Sequence, residues 1–307
     1  MLSKQYLLLF SVVCLLAGCN GETSPPSAAF QKEWYAGKAE LSSYSLQQAR
    51  YGEIRNGEAV LIFVTEDFSP SKLVKLDEPA ETANKTRVLK LNMTKKFATG
   101  IYPYSTMLSV FTPVSQAGDE KMIKADCSSQ EWCGHTFSQL KLKGGKYNWR
   151  LHSYFEKEAD QEKELGASLT EDGLWNQIRL NPAGLPQGKV FLLPGLLWQR
   201  LSHKELKSEE AVLSLSNANN YSGNDTNVQQ YTIRYPGAQR TLQIYFQLLF
   251  PHEIVGWQES YPDGFGANKK MLTTKAQRKK TIWLDYWKHN TLADSTYTDT
   301  LQLLRYE

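Results

Sequence analysis

The chain has 307 residues, 35 Lys and Arg against 32 Asp and Glu for a formal charge of +3, and four cysteines. That near balance gives no electrostatic case for nucleic acid. The length is ample to bury a hydrophobic core without staples.

In chain order, Lys4 supplies a positive start and Leu7 to Leu16, with Cys14 inside it, an apolar run too short to be an ordinary spanning helix. Leu16-Ala17-Gly18-Cys19 closes the segment and resembles the lipobox of bacterial lipoproteins. The resemblance implies a signal peptide over 1–18, cleavage before Cys19 and lipidation of that cysteine; the alternative is an ordinary signal peptide with Cys19 as an incidental thiol. Asn20, where aspartate would signal inner-membrane retention, points to the outer membrane, facing the periplasm. Residues 19–30, with Pro25 and Pro26 among small polar residues, read as a lipidated tether of about 30 Å reach. Loss of Lys4 with the leader leaves a charge of +2.

Residues 31–307 read as a single β-rich domain. Asn56-Gly57 predicts a type I′ turn, and Ala59 to Val64, apolar on both faces, a strand covered on both sides. Val88 to Phe97 alternates, with Leu89, Leu91 and Met93 inward. Lys121 to Cys127 and Cys133 to Leu142 read as two strands, and Gly144-Gly145 as the turn into Tyr147 to Phe155. Glu156 to Glu164 is acidic without an apolar stripe. Thr170 before Glu171 and Asp172 marks a helix start, and Asn181-Pro182 its end. Further strands are predicted at 211–215, 229–235, 241–250 and 254–261, a weaker one at 280–287, and a closing one at 298–305. The expected fold class is mainly β: a large twisted antiparallel sheet, half-open barrel or sandwich with one or two short helices.

Candidate chemistry centres on Asp126 to His135. Cys127 and Cys133 on one continuous strand would lie some 20 Å apart, so a bond requires 128–132 to fold back as a loop. In an oxidising envelope a disulfide is the expected state; a redox pair, a cysteine nucleophile beside His135 or His152, and unpaired thiols are the alternatives. His135, His152 and Glu156 are the candidate catalytic groups, with Glu158 of the same parity as His152 and Glu156. No metal or cofactor is expected: His252-Glu253 lacks the second zincin histidine, 184–189 falls one residue short of a phosphate loop, and Gly264-Phe265-Gly266 is followed by Lys269 where a dinucleotide loop needs glycine. Lys269, Lys270, Lys275, Arg278, Lys279 and Lys280, without an intervening acid, form a candidate anion-binding loop.

Gln48-Ala49-Arg50-Tyr51-Gly52-Glu53, Phe63-Val64-Thr65-Glu66-Asp67-Phe68, Gln130-Glu131-Trp132-Cys133-Gly134-His135 and Gly264-Phe265-Gly266-Ala267-Asn268 resemble a family of bacterial lipoproteins of unassigned activity, sometimes labelled septum formation inhibitor Maf. The Ser-x-Ser-Pro-Arg-Arg signature of genuine Maf pyrophosphatases is absent, so the resemblance implies no catalytic residues. The expectation is a membrane-anchored envelope protein that binds or scaffolds, with a lipid, other apolar ligand or envelope protein as partner. The alternatives are an envelope hydrolase using His135, His152 and nearby acids, and a structural partner-binding protein acting through the basic 269–280 segment.

Overall fold

The computed structural model describes residues 28–78, 84–114, 121–166, 169–218 and 227–304; the expected signal peptide, the lipobox-like segment and Cys19 lie outside them. The described chain opens with α1 (Ala28–Trp34), β1 (Ala39–Arg50), β2 (Glu53–Ser69), β3 (Val74–Lys75), β4 (Thr86–Thr99), β5 (Tyr102–Pro113), β6 (Lys124–Glu131), β7 (Gly134–Lys143), β8 (Lys146–Ser153) and β9 (Gln161–Gly166). There follow β10 (Leu169–Thr170), α2 (Glu171–Leu180), β11 (Gly188–Leu193), α3 (Leu196–Ser202), β12 (Glu209–Asn217), β13 (Val228–Tyr235), β14 (Arg240–Gln247), β15 (Ile254–Asp263), β16 (Lys270–Leu284) and α4 (Thr296–Thr300).

All these strands belong to one sheet, ordered β10-β11-β12-β13-β14-β15-β16-β1-β2-β4-β5-β6-β7-β8-β9, with β3 on β2. Every ladder is antiparallel except the short β10–β11 pair. The two edge strands, β9 and β10, are separated by only two residues of chain. A sheet whose opposite edges are that close in sequence has to curl round on itself, which makes the mainly β fold a half-open barrel.

Two helices fill the barrel. Thr170 caps α2 by accepting from the Gly173 amide at 3.2 Å. The helix then buries Leu174, Trp175, Asn176, Ile178 and Arg179. Asn176 Nδ2 donates to the Leu89 and Val110 carbonyls on the β4–β5 wall, while Trp175 meets Trp257 of β15 edge-on at 5.5 Å. α2 therefore spans the interior. α3 adds Leu196, Leu197, Trp198 and Leu201 to the same core. On the outer face, Leu41 and Val64 are covered by Leu301, so Ala59 to Val64 is covered on both sides as its pattern predicts.

Several local expectations are corrected. The hairpin turn is Tyr51-Gly52, both at positive φ, and Asn56-Gly57 lies within β2 opposite Gln47 and Leu46. Gly57 serves a close approach instead, since a Cβ there would stand 2.2 Å from the Lys96 carbonyl oxygen. Residues 296–300 form α4 where a closing strand was expected. The tether expectation reaches residue 30, yet α1 begins at Ala28, and Phe30 and Trp34 are buried in the core.

The disulfide expectation is also corrected: Cys127 and Cys133 are free thiols. Residues 128–131 do not fold back. They continue β6 in register with β7, Cys127 opposite Ser138 and Glu131 opposite Gly134, so four strand positions at about 3.3 Å each, and then the turn that holds Cys133, separate the two cysteines. Cys127 points into the core, and Cys133 stands exposed at the hairpin tip.

Candidate functional site

The antiparallel path gathers the β1–β2, β4–β5, β6–β7, β8–β9, β13–β14 and β15–β16 turns at one end of the barrel. This mouth holds a cleft of about 950 Å³, walled by Arg50, Tyr51, Phe155, Trp198, Leu201 and Phe265. Glu156, Lys157, Glu158, His203, Lys204, Asp263 and Lys269 also line it.

Two turns are tied together to shape one wall. The Gly52 amide donates to Asp263 Oδ2 at 2.7 Å, joining the β1–β2 turn to the end of β15. Gly264 follows at φ 102°, where an added Cβ would stand 2.6 Å from the Asn268 carbonyl oxygen. Gly264-Phe265-Gly266 is thus a tight turn that presents Phe265, not a dinucleotide loop.

Beneath that wall Arg50 is buried. Its guanidinium donates to the Leu201 carbonyl and to Tyr51 Oη and Tyr104 Oη at 3.1 and 3.2 Å. The two phenols are 2.7 Å apart, and the guanidinium carbon sits 4.2 Å from the centroid of the Tyr51 ring. Arg50 therefore fixes α3 and both tyrosines against the cleft floor.

The opposite wall comes from the β8–β9 turn and the end of α3. His203 caps α3 in the left-handed conformation, with φ 54°. Its Nδ1 lies 2.5 Å from Glu158 Oε1 and its Nε2 3.3 Å from Arg200 Nη1. A guanidinium can only donate, so Nε2 accepts and Nδ1–H donates to the carboxylate. Partial burial pushes the Glu158 carboxyl up, but hydrogen bonds from His203 and Ser153 outweigh it and hold it below the usual range. Phe155 lies edge-on to His203 at 5.1 Å, with the Arg200 guanidinium over its face at 4.8 Å.

The sequence candidates separate. His135 and His152 sit on neighbouring strands β7 and β8, both exposed on the outer face, and His152 pairs with Asp160. Only Glu156 reaches the cleft, so the three do not converge. The cysteine-nucleophile alternative loses its chemistry too. Burial pushes the Cys127 thiol far above its ordinary range, and the Glu131 carboxylate beside Cys133 raises that thiol as well. Gly134 has a packing reason: a Cβ would stand 2.5 Å from Tyr154 Cγ, so the hairpin tip stays bare to receive that ring.

The basic segment is not a loop. Lys270 to Lys280 lie along β16, spread over about 35 Å. Arg278 is paired with Glu253, and Lys279 Nζ donates to the Gln302 carbonyl. Lys275 and Lys280 are exposed farther along the strand; Lys269 alone of the six lines the cleft. Arg50, Tyr51, Phe155, Trp198, His203 and Lys204 were missed as a group, because they come from three separated segments.

Around the cleft the rim is aromatic. Phe265 packs on Tyr51 at 5.7 Å, and Trp132 stacks on Tyr102 at 6.2 Å. Ile101, Trp132, Tyr154 and Phe265, on four different turns, are all exposed. Lys204 Nζ lies 5.0 Å from the Trp198 ring centroid.

Behind Trp198 the core holds charge. Arg240 donates to Glu171 Oε2 and Oε1 at 2.5 and 2.6 Å and to Glu259 at 2.7 Å, and Tyr235 Oη donates to Glu171 at 2.8 Å. Asp172, beside Glu171, accepts from the Leu196 amide at 3.1 Å, tying α2 to α3. Burial, reinforced by the Glu171 charge, pushes the Asp172 carboxyl up to about 7. The Arg240 guanidinium lies 4.9 Å from the Trp198 ring, so this network braces the cleft from behind.

No protein-family model matches the chain, and no curated protein matches it. Among solved structures, a β-barrel-like protein of the domain of unknown function DUF1849 from Brucella abortus aligns with a TM-score of 0.46 at 11% identity. The alignment covers 81% of this chain and 98% of that one.

Proposed function

We propose that the chain is a lipid-anchored envelope protein that binds, in the mouth cleft, a molecule with an apolar body and an anionic group. The observation that carries this reading is the composition of the cleft: Phe155, Trp198, Leu201 and Phe265 beside Lys157, Lys204 and Lys269. Among the described residues no ion pair holds any of those three lysines; of the lining acids, Glu158 accepts from His203 and Asp263 from the Gly52 amide, with Glu156 the remaining carboxylate. An acidic amphiphile meets at once apolar walls and cations that no carboxylate holds.

The interior of the barrel takes no part in this binding. α2 and α3 fill it, which moves an apolar ligand from the lumen to the mouth. A hydrolase reading gains little from His203, because Arg200 engages the imidazole Nε2 that would have to accept a proton from a nucleophile.

Native mass spectrometry of the full chain purified from membranes in mild detergent tests the reading. The expected spectrum carries a non-covalent acidic amphiphile beyond the mass of the anchored chain, lost in the Phe265→Glu, Lys269→Glu variant. A bare chain under conditions that preserve such adducts would end it.

A further inference from the structure

The end of the barrel opposite the mouth carries a second feature. The β14–β15 turn presents Leu248, Leu249 and Phe250 in succession, exposed by 48, 68 and 38%. A water-facing turn is ordinarily polar, and three consecutive large apolar side chains at a tip make an unusual surface for one.

The turn is well held. The Gln247 amide donates to the Glu253 carbonyl at 2.9 Å, that of Leu248 to Asn227 at 2.8 Å and that of His252 to Leu249 at 2.8 Å. Exposure of these side chains is thus built into a bonded turn. Its position is the second observation. Phe250 packs on Phe30 of α1 with ring centroids 6.4 Å apart, and α1 is where the chain arrives from the lipobox, nine residues after Cys19. Lys32 and Lys38, exposed on and just after α1, add cations on the same side.

We infer that Leu248, Leu249 and Phe250 form a foot that rests in the bilayer carrying the N-terminal anchor, and so turns the mouth cleft away from that membrane. The inference rests on the reading of the chain as lipid-anchored. Nine residues span at most about 30 Å, so the anchor holds α1 and the turn beside it near the headgroups. Three apolar side chains entering the interface there add to the anchor and fix orientation, and lysines beside them favour anionic lipid. The exposed apolar rim of the mouth is the rival contact surface. It lies at the far end of strands that start at Ala39 beside α1 and end at Arg50 beneath the cleft.

Two thiol positions separate the ends. Cys133 is a native exposed thiol on the mouth, and Cys127 is buried. Leu249→Cys in a Cys133→Ser background places a thiol on the foot. Each full-length protein, labelled with an environment-sensitive fluorophore, is reconstituted into phosphatidylethanolamine–phosphatidylglycerol vesicles with or without nitroxide lipids. The expected result is a blue-shifted, nitroxide-quenched emission at position 249 and water-like, unquenched emission at 133. Quenching at 133 with none at 249 would mean that the mouth docks, and quenching at neither would mean that no foot exists; either overturns the proposal. Intact mass, which reads acylation of Cys19, separates failure of the anchor from failure of the foot. Equal thermal unfolding of the two labelled proteins excludes a folding artefact.

Discussion

Replacing Arg240 with methionine is expected to cost the fold about 3–5 kcal/mol, the range for breaking a buried ion pair from one side. Arg240 is 1% exposed and bridges Glu171 and Glu259 inside the barrel. Without it two buried carboxylates face each other across a space walled by Trp198 and Trp257. Glu171 is also the first residue of α2, so its repulsion would push on the helix that fills the lumen. Removing Arg240 together with its partners, as Arg240→Met, Glu171→Gln and Glu259→Gln, should return much of the loss, because the stranded carboxylates are gone and buried Lys95 beside them, its pKa already lowered by burial, can release its proton. Urea unfolding measures both variants. A single substitution costing under about 1 kcal/mol, or a triple variant no better than the single, would show that the network does not hold the plug.

The second large effect depends on pH and belongs to Asp172. Its carboxyl titrates near 7 in the folded chain against an ordinary 3.8. Between those values the folded state binds a proton that the unfolded chain has released. Stability from this group is therefore fully present below about pH 4, falls as pH rises, and is lost above 7. Asp172→Asn keeps an acceptor for the Leu196 amide and removes the titration. The variant should match the parent at pH 4 and exceed it by roughly 2–4 kcal/mol at pH 8. Denaturant midpoints at the two pH values give the comparison, and a difference that stays constant with pH would refute the assignment.

The sheet was legible because alternation reports a half-buried strand directly. Leu89, Leu91 and Met93 are inward and buried as their spacing predicts, and Thr170 caps the predicted helix. What misled were local signals with two physical causes. Asn56-Gly57 has turn chemistry, but its glycine is there for the approach of β4, and the turn formed two positions after Ala49 at Tyr51-Gly52. Two cysteines six apart suggested a bonded loop, yet residues 128–131 found better partners in the β7 ladder. The clustered lysines of 269–280 looked like one patch only while their secondary structure was unknown; a strand spreads them along its length.

The candidate site was the least legible part, for a geometric reason. Arg50, Phe155, Trp198 and Lys269 meet because a barrel brings alternate turns to one rim, and that closure leaves no mark within any short window of sequence. The exposed histidines drew attention as titratable groups. The imidazole at the cleft is His203, whose position at the left-handed end of a short helix is set by α3.

The most direct test of the cleft as the binding site is a titration of the full chain with a fluorescent fatty acid, alongside a Lys157→Glu, Lys204→Glu, Lys269→Glu variant. All three side chains are exposed, so the substitutions should leave folding intact. The account predicts saturable binding by the parent and a loss of about tenfold or more in the variant, equivalent to about 1.4 kcal/mol. Equal affinity in the two proteins, or no saturable binding by the parent, would contradict it.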